Sequence, residues 1–476
     1  MDAINYGFLS IIPPALTIIL AIATKNVFIS LFIGIFLGYM VIDGWNVIFA
    51  LNSTLNGIIS TFESHSNTIV IASILMIGAL IYIIEKSGGI EGFVDIMVKK
   101  KGIVKSKRAA NIFTWLLGVF VFTSGTLSSL VVGSVSRPVN DALKVPHEKA
   151  AFLVHTTSTP VCVLLPLSGW GASMIGYLTS GGVPEQTAAA VLVKSIGLNF
   201  YCIIAVGMTL VLALIQKDFG PMKRAEQRAA LTGELDDPDS ERMTSREVVT
   251  ADNIDAKKPL ARNLLIPIAT LIGTILVALA VTGQGNLLKG DGMNALLWGV
   301  TIALFAAMIL CVMQKIYTVG TFINVAFKGA SGMLFMAMIL VFGFTMGTLV
   351  KQLGTGLYLS VVFEQFLTPA LLPALVFLMA CLISFATGTS MGTMAITSVI
   401  ALPMAMNLGV SIPLVAAAVF GGSIFGDHAS PISDTTIMSC STTGCNIIDH
   451  VKTQAPYCVA CAVVSVILYI VMGFIM

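Results

Sequence analysis

The chain has 476 residues, 56% of them hydrophobic and 11% charged, with a formal net charge of +2. Soluble domains carry about 25% charged residues, so the composition excludes an ordinary soluble enzyme. The near-balanced charge gives no footing for a nucleic-acid partner.

In chain order, the N-terminus "MDAINYGFLSIIPP" lacks a positively charged n-region and an A-x-A site, so no cleaved signal peptide is expected. Apolar runs suited to crossing about 30 Å of hydrocarbon follow at 8–24, 27–42, 68–85, 111–132, 150–167 and 188–216. A polar stretch of mixed charge, 217–262, interrupts them and reads as a linker. A second set occupies 263–282, 293–313, 329–350, 371–406, 412–423 and 457–476. The expected fold is an all-α polytopic membrane protein with roughly 10–12 membrane segments, and not a β-barrel, which would show alternating ten-residue segments.

The linker divides the chain into an N-terminal half, 1–216, and a C-terminal half, 263–476, which share an internal similarity. Gly78, Lys86 and Gly89 recur 265 positions later as Gly343, Lys351 and Gly354, and Pro138 recurs as Pro403. "FTSGT" (122–126) recurs as "FATGT" (385–389) at an offset of 263. Charge sets the relative orientation. Residues 86–108 carry seven Lys/Arg, whereas the matching place after Val350 carries only Lys351. Loops 43–67 and 169–187 have none, and the linker has nine. The positive-inside rule then predicts a cytoplasmic linker, both termini outside, and two inverted-topology repeats. Such repeats are typical of secondary transporters, whose substrates bind near the midplane at broken helices.

The matching breaks are "FTSGTLSSL" and "FATGTSMGT", which place Ser124, Gly125, Thr126 and Ser128 opposite Thr387, Gly388, Thr389 and Ser390. Backbone leaves a helix at membrane depth only when buried in protein or lining a cavity; close packing through small residues is the alternative. A second break follows at "HTTSTPVCVLLPLSGW", with Thr157, Ser158 and Thr159, and at "GDHASPISDTT" in the C-terminal half. There Ser430 resembles an N-cap with Pro431 opening the helix.

Asp427 and Asp434 lie in this acid-poor region, and intramembrane acids are functional candidates by default. With Ser430, Ser433, Thr435, Thr436 and backbone carbonyls they could bind Na⁺, and a desolvated carboxylate could exchange a proton for that cation. The alternatives are an aqueous loop or a helix cap. His428 could bind a proton or a carboxylate, or serve as a hydrogen-bonding spacer; His155 is a weaker candidate. Asp141, Arg137 and Asp449 read as loop, cap or interface charges. Cys458 and Cys461 form a CxxC inside an apolar run and read as packing rather than metal or redox chemistry. No cofactor motif and no enzyme-like nucleophile–base arrangement is visible.

Two stretches carry a family resemblance. "GDHASPISDTTIMSCSTTGCNIIDHVKTQAPY", including Asp427, His428, Ser433, Asp434, His450 and Gln454, resembles the NhaC family of Na⁺/H⁺ antiporters. So does "VGSVSRPVNDALKVPHEKAAFLVHTTSTPVCVLLPLSGWGAS". The resemblance implies an inner-membrane, ion-coupled antiporter with helix-breaking hairpins. It departs at "FTSGTLSSL", where many family members carry acids and this chain has Ser124 and Gly125. Na⁺/H⁺ antiport is therefore the leading reading, and Na⁺- or H⁺-coupled transport of a small organic acid or amino acid is the alternative. A homodimer is possible; no interface motif argues for it.

Overall fold

The computed structural model describes residues 6–24, 26–98, 104–122, 125–165, 169–238, 255, 259–285, 291–355, 357–358, 361–362, 368–431 and 433–476. Among them there is no strand. The N-terminal half contains α1 (Ile12–Thr24), α2 (Val27–Ile42), α3 (Val47–Glu63), α4 (His65–Lys86), α5 (Gly89–Val98) and α6 (Lys107–Phe120). It continues with α7 (Gly125–Ala142), α8 (His147–Leu164), α9 (Gly169–Ser180), α10 (Glu185–Ile196) and α11 (Phe200–Ile215). The linker contributes α12 (Gly220–Leu231). The C-terminal half has α13 (Arg262–Thr282), α14 (Gly292–Met313), α15 (Val319–Gly332), α16 (Leu334–Leu353), α17 (Leu372–Thr387) and α18 (Ser390–Asn407). It ends with α19 (Ile412–Ala429), α20 (Asp434–Thr443) and α21 (Ile447–Ile475).

By length and composition, seven of the described stretches can cross a membrane, or up to eight if the bent pair α15–α16 counts as one. Outward-facing Phe305, Ile309, Leu382 and Ile467 suit contact with lipid. Helices α7, α8 and α18 are too polar to pass that test because they meet protein instead: Ser128, Ser129, Thr156, Thr393 and Thr397 are wholly buried.

Four expected spans are broken. The stretch 111–132 divides between α6 and α7, 188–216 between α10 and α11, 329–350 between α15 and α16, and 371–406 between α17 and α18. At the last break Gly388 takes φ 69°, a left-handed conformation open to glycine at little cost. Thr389 then caps α18 by accepting from the Gly392 N–H. The final helix begins ten residues earlier than the apolar run, because Asn446 caps it at Ile447 and its first turns are buried in protein.

Helix starts recur at a constant spacing. Helices α18, α19 and α20 begin at Ser390, Ile412 and Asp434, each 265 residues after α7, α8 and α9 begin at Gly125, His147 and Gly169. The two glycine motifs, matched at 263, therefore do not play equivalent parts: Gly125 opens α7, whereas Gly388 ends α17.

The first part of the linker is structured. Fully buried Lys149 pairs with Asp218 at 2.7 Å, and Tyr457 donates to the same carboxylate at 2.9 Å. Arg228 donates to both Glu148 oxygens at 2.9 and 3.0 Å. His147 lies between Asp236 (2.7 Å) and Asp141 (3.2 Å). Residues 217–237 thus form a strap across the ends of α8 and α21. Burial opposes the charge on His147, but its hydrogen bonds to both carboxylates outweigh that and raise its pKa to about 9. Burial also pushes the Glu148 pKa up, against the opposing pull of Arg228.

Candidate functional site

Helix α19 is the axis of the site. Its small residues let α17 approach: a Cβ on Gly426 would stand 2.3 Å from the Phe385 nitrogen, and one on Gly422 would stand 2.5 Å from the Phe377 oxygen. Ser384 donates across the same contact to the Ser423 carbonyl at 2.5 Å. The break after α17 is therefore clamped to the C-terminal end of α19. On another side, a Cβ on Gly125 would meet Thr159 Oγ1 at 2.9 Å and Thr435 Cγ2 at 3.3 Å. The start of α7 at Gly125 thus packs against Thr159 and Thr435, while the break after α17 packs against α19.

The geometry there corrects one expectation. Ser430 is not the N-cap of the next helix; it is the C-cap of α19, with φ −80° and ψ 133°. Pro431 explains this, since proline drives the residue before it out of helical conformation. The N-cap is Ser433, whose Oγ accepts the Thr435 N–H at 3.2 Å. Helix α19 also runs to Ala429, past the apolar run that ends at 423.

Asp427 is buried, 1% exposed. Ser433 donates to its Oδ1, and Thr435 donates to its Oδ2 at 3.2 Å. The two hydroxyls lie 2.9 Å apart. Thr436 donates to the Ser430 carbonyl at 2.8 Å and so closes the turn. Asp434 opens α20, and its side chain lies outside the described residues. Ser124 also lies outside them.

Around this carboxylate sit three buried histidines that arrive from separate parts of the chain. The His155 ring centroid is 4.7 Å from that of His428 and 5.3 Å from that of His450. His428 is fixed on both nitrogens. Thr156 gives its proton to the Phe152 carbonyl (2.8 Å), so at 2.9 Å it accepts from His428 Nε2. Tyr201 therefore donates to His428 Nδ1 at 2.8 Å. His155 Nε2 lies 3.1 Å from Thr435 Oγ1, and its Nδ1 lies 3.0 Å from His450 Nε2 and 3.2 Å from Gln454 Nε2. Gln454 Nε2 also donates to the His428 carbonyl.

The remaining candidates divide. Thr159 Oγ1 and Ser128 Oγ are buried with no hydrogen-bond partner among the described residues. Thr126 opens α7 beside Gly125. Thr157 faces away, toward Gly118 on α6, and Ser158 bonds back to the His155 carbonyl at 2.7 Å. Thr387 bonds to the Ile383 carbonyl at 2.8 Å, and Ser390 follows the Thr389 cap. Sequence reasoning gave no part to Thr156 or Tyr201, and none to His450 or Gln454 beyond their place in the family resemblance. The wholly polar spacing His155–Thr156–Thr159 on one helix was the available signal. Tyr201 lay in an apolar run and gave none.

Separate from this cluster, a crevice of about 530 Å³ opens between α4, α9, α16 and α18, lined by Asn67, Thr179, Thr348, Lys351 and Asn407.

Comparison with known proteins follows the same outline. Residues 161–474 match the model of the Na⁺/H⁺ antiporter family. An uncharacterized protein of Haemophilus influenzae is 32% identical over 98% of this chain and 91% of its own length. The malate-2H⁺/Na⁺-lactate antiporter of Bacillus subtilis is 32% identical over 23% of this chain and 24% of its own. Among solved structures, the YdaH transporter of Alcanivorax borkumensis superposes over 89% of each chain with a TM-score of 0.55 at 15% identity, a likeness of fold.

Proposed function

The chain belongs to the Na⁺/H⁺ antiporter family, and on that premise we propose that Asp427 is the carboxylate at which Na⁺ and H⁺ compete. The protein is an ion-coupled secondary transporter of the membrane. The observation that carries the site is Asp427 itself: a carboxylate buried at the broken end of a helix long and apolar enough to cross, held by Ser433 and Thr435 hydroxyls. Na⁺ and H⁺ cannot both occupy one carboxylate, and that competition suffices for exchange. The Asp427 carboxylate, the Ser433 hydroxyl and the unpartnered Thr159 oxygen are hard donors suited to Na⁺. The two halves act as inverted repeats in a bacterial inner membrane, with the strap on the cytoplasmic side, following the charge of the loops.

Purified protein in liposomes with an imposed pH gradient tests this reading. Na⁺, and not K⁺, dissipates the gradient, and Asp427→Asn abolishes the effect. Dissipation that survives in Asp427→Asn removes Asp427 from the exchange.

A second reading rests on the crevice beside Lys351, whose size and single cation suit a small organic acid, the class of solute named for the Bacillus subtilis relative. Under it Na⁺ at Asp427 drives solute movement. The distinguishing result is Na⁺ uptake that requires added organic acid and leaves the pH gradient intact without it.

A further inference from the structure

The exchange proposed for Asp427 needs a route by which a proton reaches a carboxylate that is closed to solvent, and the histidine cluster supplies the geometry of one. Two independent contacts fix the tautomer of His155. Thr435 donates its hydroxyl proton to Asp427 Oδ2, so toward His155 Nε2 it can only accept, and that nitrogen carries the proton. Gln454 Nε2 is identified as the amide nitrogen by its bond to the His428 carbonyl, so it donates to His155 Nδ1, which is then an acceptor. It follows that His450 donates from Nε2 to His155 Nδ1. His450 Nδ1 is left as a bare acceptor, buried and without a hydrogen-bond partner among the described residues. Gln454 Oε1, one turn along the same face of α21, is a second buried acceptor without a partner.

We infer that His450, His155 and Thr435 form a proton relay between the strap side of the molecule and Asp427; this rests on the Na⁺/H⁺ reading above. A proton arriving at His450 Nδ1 releases the Nε2 proton to His155 Nδ1. His155 releases its own Nε2 proton to Thr435 Oγ1, and the Thr435 hydroxyl proton passes to Asp427 Oδ2. One proton enters and one is delivered, and passage in the reverse direction restores every starting tautomer. The neighbouring residue offers a source. Asp449, the preceding residue, lines a crevice of about 350 Å³ under the strap with Glu148, Arg228, Asp237 and Lys452. His428 takes no part, because Tyr201 and Thr156 occupy both its nitrogens, with the Cys458 sulfur 3.5 Å from Nδ1. Its contribution is positional: its carbonyl holds the Gln454 amide that orients His155.

The test separates proton movement from sodium movement. Full-length protein in liposomes is assayed for Na⁺-driven proton flux with a pH dye and for tracer Na⁺ self-exchange at equal pH on both sides. Self-exchange needs Asp427 and no proton. His450→Gln and His155→Gln keep a hydrogen-bonding side chain of similar reach that cannot pass a proton through. Each is expected to slow proton flux on the order of a hundredfold while self-exchange stays within about twofold. Proton flux retained in either variant overturns the relay. Parallel loss of both fluxes in both variants also overturns it, and assigns the imidazoles to packing. If the unaltered protein exchanges Na⁺ but moves no proton, the Na⁺/H⁺ reading falls first and takes the relay with it.

Discussion

Asp427 shows what a single residue needs in order to stay buried. A carboxylate closed off from water is costly unless it is hydrogen-bonded, and in the last turn of α19 Ser433 and Thr435 offset part of that cost through hydrogen bonds to both of its oxygens. Ser433 serves twice, because the same oxygen caps α20. Ser433→Ala should therefore destabilise the protein by about 1 kcal/mol and raise the half-saturating Na⁺ concentration on the order of tenfold. Thermal unfolding and transport titrations check both effects, and Ser433→Thr should restore them. Tyr201→Phe makes the opposite case. It strips His428 of a buried donor and should cost about 1–3 kcal/mol while leaving Na⁺–H⁺ coupling unchanged in liposomes. A coupling defect in Tyr201→Phe would mean that His428 carries protons after all. Asp427 was legible in the sequence because an acid stands out in greasy surroundings. The partners of His428 were not, since threonine and tyrosine are ordinary in membrane helices and only folding brings residues 156, 201 and 428 together.

At the scale of elements, the breaks were readable because glycine and proline announce them, but their registers were not. Pro431 announced a break, yet whether it ends α19 or begins α20 depends on which hydroxyl finds the free N–H groups, and Ser433 does. The strap was read only as a polar linker. Its order depends on Lys149 and Glu148, which sit at the start of α8 and find their partners about 70 and 80 residues away. His147 gives the strap a pH dependence. Its folded pKa, about 9, lies above the unfolded value of 6.5, so its contribution to docking is full below pH 6.5 and is lost as pH rises through 9. Hydrogen exchange across 217–237 should therefore accelerate between pH 7 and 10 beyond the intrinsic base-catalysed rate. His147→Gln should flatten that excess. An excess unchanged in His147→Gln would place the sensitivity elsewhere.

At the scale of the whole molecule, the recurrence of helix starts at 265 residues sets Cys162 where the C-terminal half has Asp427, and Gly169 where it has Asp434. The helix starts recur at that spacing, but only the C-terminal half has acids at these positions. Orientation is the testable consequence of the loop charges: protease should cut the strap region in inside-out vesicles and spare it in right-side-out ones. The reverse pattern would invert the assignment of both termini. What the sequence determined by itself was the helical membrane class, that glycine and proline interrupt its apolar runs, and the candidacy of Asp427. Each of these is a local property: hydrophobic length, turn chemistry, or a charge out of place. Only the tertiary structure decided that Gly125 packs against Thr159 and Thr435 and that His155 bridges His450 and Thr435, which holds Asp427. It also decided that His428 is saturated, because hydrogen-bond partnership among distant residues depends on distances and directions that side-chain identity leaves open.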